Sequence, residues 1–487
     1  MKTISIDPIT RLEGHGKIDI FLTDEGDVAQ TYLQIPELRG FEKFCEGRPV
    51  EELPRIMTRI CGVCPEAHHM ASAKCCDAVY HVEPPHAAKK LRELLYSAFF
   101  AGDHATHFYA LGGPDFVVGP TAPAAERNIL GVIAKVGLET GKRVIQHRAG
   151  AQEVVKILGG KAVHPVTSVP GGVTKGLTEA ERQRVETLAR EFVEFGEFTL
   201  GVFDKIVLGN KAYVDLILGD VYTHKVYSMG TVDAQGKVNF YDGLIRVVDP
   251  AGKELVTFPA SAYLDHLAEH VEPYSYLKYP YLKQVGWKGF VDGPESGVYQ
   301  ATPLSRLNAA DGMATPKAQT AYDRMYQTLG GKPVHALLAT HWARVIELLY
   351  AAERTLELAT DPEITSTDIR TVPTATPTEG VGCVEAPRGT LYHHYVTDEK
   401  GIVRKVNLIV GTTNNHAAIS MSIRDAARKL IHKGVEATDG VLNMIEMAFR
   451  AYDPCFGCAT HSLPGQMPLE VRIHSPAGDV VRVLRRG

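Results

Sequence analysis

Arg59-Ile60-Cys61-Gly62-Val63-Cys64, early in the chain, and Asp453-Pro454-Cys455-Phe456-Gly457-Cys458-Ala459-Thr460-His461, near its end, each hold a Cys-x-x-Cys pair. Four thiolates bind one soft metal centre if the fold brings the two ends together. By spacing alone, such a pair is most often a zinc or redox motif, and four cysteines make a structural zinc site. The flanks set these pairs apart. Arg59 precedes the first pair and His68 follows it; Asp453-Pro454 precedes the second and His461 follows it. Cys45, Cys75, Cys76 and Cys383 have no such surroundings and read as buried or incidental thiols.

The bulk properties are those of a globular housing for that centre. The chain has 487 residues, 45% hydrophobic and 22% charged, enough for two or three packed layers. Its formal net charge of −5 gives no basis for nucleic-acid binding. No run of about 18 apolar residues suggests a membrane span. Met1-Lys2-Thr3-Ile4-Ser5-Ile6-Asp7 lacks the apolar core of a signal peptide. Eight cysteines in so long a chain are too few for a disulfide scaffold. Free thiols and metal ligands in a reducing cytoplasm are expected.

Outward from the cysteines, the pattern predicts an α+β protein: a mainly helical body with peripheral β-hairpins. Lys17-Ile18-Asp19-Ile20-Phe21-Leu22 followed by Asp24-Glu25-Gly26-Asp27 reads as an N-terminal hairpin. Apolar residues recur at helical spacing from Ala87 to about Tyr109. Thr178 with Glu181 forms a capping box for a helix reaching about Phe198. Lys237 to Phe258 alternates around Asp249-Pro250-Ala251-Gly252, a second hairpin. Ala336 to Ala359 predicts a strong helix, and Val441 to Ala451 another that delivers the last Cys pair just past its end. From Ser462 to Gly487 two β-like stretches flank a Ser-Pro-Ala-Gly turn.

With its flanks, the double signature resembles that of the large, catalytic subunit of nickel–iron hydrogenases. The resemblance runs from Arg11-Leu12-Glu13-Gly14-His15 to His461. It implies the family fold and a nickel–iron centre whose iron carries cyanide and carbon monoxide. It makes Cys61 and Cys455 terminal nickel ligands, and Cys64 and Cys458 bridging ones. Thiolates suit nickel in several oxidation states, and a terminal thiolate is basic enough to take a proton.

The resemblance extends to the surroundings of the metals. His68 matches a histidine that hydrogen-bonds the bridging thiolate. Arg388, in Glu385-Ala386-Pro387-Arg388-Gly389, matches an arginine over the open face of the centre, where it polarises substrate. Asp103 and Asp453 match the carboxylates that pair with it. Asp103 stands on an otherwise apolar helix and needs a partner if buried. Thr412 aligns with a hydroxyl that bonds an iron cyanide, although Gly411 stands where the family often has proline. Glu13 matches the acid that relays protons from the terminal thiolate. Glu42, the carbonyl of Leu408 and His461 match the ligands of a structural magnesium or iron ion. Residues 1–461 would then be the catalytic region. Residues 462–487 would be a propeptide, with Leu463-Pro464-Gly465-Gln466-Met467-Pro468 resembling family tails, cut after His461 by a maturation endopeptidase.

The implied activity is heterolytic cleavage of H2, with a proton passed from Cys455 to Glu13. This chain has no cysteine set left for an iron–sulfur cluster, so an iron–sulfur small subunit is required. Pro65-Glu66-Ala67-His68 and Ser168-Val169-Pro170-Gly171-Gly172 resemble the cytoplasmic, viologen-reducing type, which is linked through a further iron–sulfur subunit to heterodisulfide reductase. NAD(P)- and deazaflavin-linked relatives compete closely. Two other classes remain to be separated: a zinc-stabilised binding protein, and a non-catalytic quinone-site subunit related to respiratory complex I, whose members lack the Cys pairs.

Overall fold

The computed structural model describes residues 2–461, 469–475 and 479–486. Four long helices form the body: His86–Thr106, Leu138–Gly159, Glu179–Phe203 and Thr340–Ala359. The last packs against both the first and the third, and the second packs on the first. Thr340–Ala359 is almost entirely buried from Thr340 to Ala352, as befits an inner helix apolar on several faces.

The caps explain the helix boundaries. Thr178 and Glu181 form the reciprocal capping box read from the sequence, but the helix runs on to Phe203. The expected helix from Ala336 begins instead at Thr340, after a 3-10 turn over Leu337–Ala339. The one from Ala87 to about Tyr109 stops being α-helical after Thr106 and continues as a π segment, His107–Gly112; a second π segment, Asp204–Leu208, follows Phe203. One inserted residue makes such a bulge without disturbing the apolar pattern around it.

Among the described residues the β-strands are short and pair antiparallel with one exception. Lys17–Leu22 and Val28–Gln34 form the N-terminal hairpin, and Lys2–Ile6 adds a third strand to it. Leu244–Val248 and Glu254–Phe258 form the second hairpin within a four-stranded sheet, where Tyr299–Gln300 pairs parallel to Tyr227–Val232. Leu469–His474 pairs with Val480–Arg486 in a sheet of their own. The Leu463–Pro468 tail motif lies outside the described residues.

One sheet is not peripheral. Glu379–Ala386, Gly389–Thr397 and Val403–Ile409 pack against the helix Pro65–Val79, and the central strand is buried from Gly389 to Tyr395. The approach is close because Gly382 has no side chain: a Cβ there would fall 2.1 Å from the Ala71 carbonyl oxygen and 2.3 Å from the Cys75 nitrogen. This contact seats the helix that begins at Cys64 against the hairpin that carries Arg388.

Candidate metal centre and its surroundings

The fold brings the two cysteine pairs together. The four sulfurs lie within 4.8 Å of one another, and all four residues are buried. Cys61 approaches Cys455 at 3.5 Å, Cys64 approaches Cys458 at 3.7 Å, and Cys455 Sγ lies 2.8 Å from Cys458 Sγ. The first pair is set by the start of a helix. Cys61 follows the 3-10 turn Met57–Ile60, and its sulfur accepts the amides of Val63 and Cys64. Cys64 is the N-cap of Pro65–Val79, with Pro65 supplying the first helical position. The helix N-terminus and these amides favour negative charge on sulfur. Burial works against the Cys61 thiolate, yet bonds from Cys455, Cys458 and Cys64 leave its pKa well below the ordinary value. Burial pushes Cys455 and Cys458 well above it.

The second pair is held from outside its own segment. The Cys455 amide donates to Thr412 Oγ1 at 3.0 Å, and the Phe456 amide donates to the Glu13 carbonyl at 3.0 Å. Residues 13 and 455 thus pair as a parallel bridge. The same geometry puts the Glu13 carboxylate on the sulfur: Cys455 Sγ donates to Glu13 Oε2 at 2.9 Å, and the Gly457 amide donates to that oxygen at 3.1 Å. Burial raises the Glu13 pKa, against the lowering by the Cys455 bond, so the carboxyl is a ready proton acceptor.

Arg388 stands at the two-residue tip between Glu379–Ala386 and Gly389–Thr397. The Asn415 side chain donates to its carbonyl at 2.8 Å. Its guanidinium meets Asp453 at 2.9 Å and Asp103 at 3.4 Å, with all three side chains at most 4% exposed. Burial opposes the charge, but Asp103 and Asp453, then Cys64 and Cys455, hold the arginine firmly protonated. The Asp453 pKa is raised by burial, against the pull of Arg388.

Other expected contacts differ in detail. His68 makes no bond to a thiolate: its Nδ1 is taken by His393 Nε2 at 3.1 Å, and its buried Nε2 has no partner. His393 Nδ1 continues to the Tyr395 hydroxyl at 2.6 Å, which donates to Ser72 Oγ at 2.8 Å. Glu42 and Leu408 do meet, but through the Leu408 amide, which donates to the carboxylate at 3.0 Å, rather than through its carbonyl. Burial raises the Glu42 pKa. His461 turns Nε2 onto the Cys458 carbonyl and packs edge-on against Phe41, leaving its buried Nδ1 unpartnered. An orphaned imidazole nitrogen is a donor free to take a cation.

Sequence reading missed three residues here. His393 orients His68. His107 lies 3.8 Å from Asp453. Arg344, fully buried, donates to the Ala451 carbonyl at 2.9 Å, and burial lowers its pKa to about 10. A charged residue on the buried Thr340–Ala359 helix was the available signal for Arg344; nothing local marked His393 or His107.

Comparison with known proteins decides what this centre is. The nickel-dependent hydrogenase family matches residues 39–133 and 143–461, and a HoxL-like family matches residues 3–38. The chain belongs to the nickel-dependent hydrogenases. An F420-non-reducing hydrogenase iron-sulfur subunit from Archaeoglobus profundus is 52% identical over 485 residues, covering all of both chains. The NAD-reducing hydrogenase HoxS subunit beta of Cupriavidus necator is 39% identical over 496 residues, 99% of each. Among solved structures, an NAD+-reducing [NiFe]-hydrogenase in the H2-reduced state superposes with a TM-score of 0.89 at 36% identity, covering 95% of this chain and all of that one. The protein is thus the catalytic subunit of a nickel–iron hydrogenase, which cleaves H2 to protons and electrons. The zinc-binding and quinone-site readings fall. Four buried, mutually close thiolates are the soft donor set that a nickel–iron centre needs. Its relatives are subunits of multi-subunit enzymes, and a partner subunit follows for this chain too. Among the described residues no helix is long and apolar enough to cross a membrane.

Proposed function

We propose that this hydrogenase works in the cytoplasm as the viologen-reducing type. Its electrons leave through an iron–sulfur small subunit and a further iron–sulfur protein to heterodisulfide reductase. Support for the subgroup comes from the relatives named F420-non-reducing hydrogenases. The centre, with cyanide and carbon monoxide on iron, supplies the Lewis-acid and redox chemistry on H2. Cys61 and Cys455 would be its terminal ligands, and Cys64 and Cys458 its bridging ones. Arg388, fixed by Asp103 and Asp453, presents a positive charge to the bound substrate. Cys455 takes the proton and gives it to Glu13. Thr412 accepts the Cys455 amide, and its hydroxyl would bond a cyanide of the iron. His68, oriented by His393, would have its unpartnered Nε2 free for the centre. Glu42, the Leu408 carbonyl and His461 would hold a magnesium or iron ion.

The observation that carries this reading is the 2.9 Å bond from Cys455 Sγ to Glu13 Oε2 at the edge of a buried thiolate tetrad. Elemental analysis with infrared spectroscopy tests it. The wild-type protein is expected to hold nickel, iron and bands of cyanide and carbon monoxide. Cys64→Ser is expected to lose the centre, because an alkoxide is a poor bridging ligand for soft metals. Full metal occupancy and normal H2 uptake in that variant would overturn the ligand assignment.

We also propose that residues 462–487 are removed after His461 by a maturation endopeptidase. Mass spectrometry of the active enzyme is expected to find a C-terminus at His461; full activity in protein ending at Gly487 refutes this. Copurification tests the electron route. Recovery of a flavin-bearing NAD-reducing module, in line with the name of the 39% identical relative, would replace heterodisulfide reductase as acceptor and leave the H2 chemistry standing.

A further inference from the structure

Arg388 stands at a hairpin tip where every carbonyl from Glu385 to Arg388 is met by a side chain from another element. The Tyr96 hydroxyl donates to the Glu385 carbonyl. Arg306 Nη1 donates to the Ala386 carbonyl at 3.0 Å, and its Nη2 to the Pro387 carbonyl at 3.1 Å. The Asn415 amide closes the series on Arg388 itself. Arg306, on the helix Pro303–Ala309, is fully buried. Its Nε and Nη2 grip Glu347 Oε1 and Oε2 at 2.7 and 2.6 Å, and its Nη1 meets Glu385 Oε2 at 3.3 Å.

Glu347 reaches the other side of Arg388. It stands on the buried helix Thr340–Ala359, and its Oε2 accepts His104 Nε2 at 2.9 Å. His104 adjoins Asp103 on His86–Thr106, and Asp103 is one of the two carboxylates that hold the Arg388 guanidinium. One carboxylate thus joins the residue that clamps the Arg388 turn to the helix that carries Asp103. The contact it spans is easily lost. Both guanidinium bonds to Asp103 Oδ1 are 3.4 Å long, so a shift of about half an ångström in either element breaks them. Stability alone is a weak reason for such a cluster, because a buried arginine between two carboxylates repays little beyond its own desolvation. The planar fork, which meets one carboxylate in two places and two carbonyls besides, is suited instead to fixing geometry.

We propose that Arg306 and Glu347 are positioning residues for Arg388. They set the distance between its turn and the Asp103 helix, and so hold the guanidinium between Asp103 and Asp453 beside the cysteines. This rests on the reading of Arg388 as the charge presented to substrate and extends it to the residues that keep that charge in place. Arg306 and Glu347 act only through Arg388. Their removal therefore costs what a misplaced Arg388 costs, and a displacement of about 1 Å by a residue remote from the chemistry lowers turnover up to about 10²-fold.

The test uses the intact heteromeric enzyme and reads metal content, infrared bands and H2-driven dye reduction. Glu347→Gln keeps the shape and loses the charge; Arg306→Lys keeps the charge and loses the fork. Both are expected to retain nickel and iron, to shift the cyanide and carbon monoxide bands in the same direction as Arg388→Lys, and to lower turnover about 10–10²-fold. The bands report the field at the centre, which a purely structural role would leave unmoved. A double variant carries the decision. Residues that act as a unit give losses that do not add, so Glu347→Gln is expected to slow Arg388→Lys by no more than about twofold. Losses that multiply show independent action and overturn the proposal. Where Glu347→Gln and Arg306→Lys fail to load metal, His104→Leu decides by the same readouts, because it leaves the Arg306–Glu347 pair whole and cuts only its link to the Asp103 helix. Wild-type turnover and bands in the loaded variants, with Arg388→Lys slow, overturn the proposal alone. Wild-type turnover in Arg388→Lys overturns the reading beneath it as well.

Discussion

Replacing Arg388 separates charge from shape at the centre. Its guanidinium spans Asp453 at 2.9 Å and Asp103 at 3.4 Å, and the three side chains are 4%, 2% and 2% exposed. Arg388→Met leaves two buried carboxylates facing each other, and breaking a buried pair in this way costs about 3–5 kcal/mol. Unfolding entropy of about 2.1 cal/mol/K per residue gives roughly 1 kcal/mol per degree for a chain of this size, so melting is expected to fall by about 3–5 °C. Burial already raises the Asp453 pKa, and loss of the arginine drives that carboxyl further toward its protonated form. Arg388→Lys keeps the charge but loses the planar fork. An ammonium is a point charge without the guanidinium's fixed fork, so it meets the two carboxylates less well, and a smaller stability loss of about 1–2 kcal/mol is expected. Turnover is expected to fall about 10²–10³-fold, the usual loss when a fixed charge aimed at the reacting centre is displaced. Scanning calorimetry of metal-loaded enzyme and H2-driven dye reduction read the two quantities separately. Wild-type turnover in Arg388→Lys would refute a role for the fork, and unchanged melting in Arg388→Met would refute the ion-pair argument.

Three further outcomes follow from particular contacts. In Gly457→Ala the new Cβ crowds the Glu13 carboxylate at 2.8 and 3.1 Å; metal content is expected to persist while H2/D2O exchange drops at least several-fold. Gly382→Ala forces a Cβ into the backbone of Pro65–Val79, so nickel occupancy measured by elemental analysis is expected to fall as the helix carrying Cys64 shifts. Burial lowers the Lys332 pKa to about 8, so between pH 8 and about 10 the unfolded chain holds a proton that the native one has released, and stability contributed at this site rises with pH; relative to Lys332→Met, wild-type protein is expected to gain no more than about 2–3 kcal/mol across that window in denaturant titrations.

The grouping of the four cysteines was legible because their flanks are local in sequence. Arg59, His68, Asp453 and His461 all lie within a few residues of a cysteine. The long helices were legible because their apolar faces repeat at helical spacing. The sheet behind Pro65–Val79 was not. Its central strand is buried over Gly389 to Tyr395 and so lacks the alternation that reveals a half-exposed strand, and Gly380 and Gly382 dilute the β signal of its neighbour. The partner of His68 was hidden for a related reason: His393 sits on that central strand, and its bond to His68 spans 325 residues. Such a pairing is a property of the packed fold. The ends of the helices drifted because π segments after Thr106 and Phe203 leave no local mark.

The two cysteine pairs differ in what holds them. Cys61 and Cys64 lead into a fifteen-residue helix seated on the buried sheet, so their geometry comes with the core. Cys455 and Cys458 lie on a helix of only four residues, Phe456–Ala459, with Cys455 as its N-cap, far too short to persist by itself. Its position depends on partners distant in sequence: the Glu13 carbonyl, the Thr412 hydroxyl and the Arg388 guanidinium. Asp453, which turns the chain into this segment, adopts φ 54°, a left-handed conformation that non-glycine residues hold only when their surroundings enforce it. Here Arg388 supplies that restraint through the Asp453 carboxylate. The buried Phe456 ring fills the site between His416 and the loop at Gly16, so the segment docks against the N-terminal strands as a unit or not at all. The second cysteine pair is therefore the closing half of the centre, and the same docking that brings Cys455 to the other sulfurs brings it to Glu13. On the proposed ligand set and proton acceptor, metal coordination and the first proton transfer would be one structural event drawing on residues from both ends of the chain.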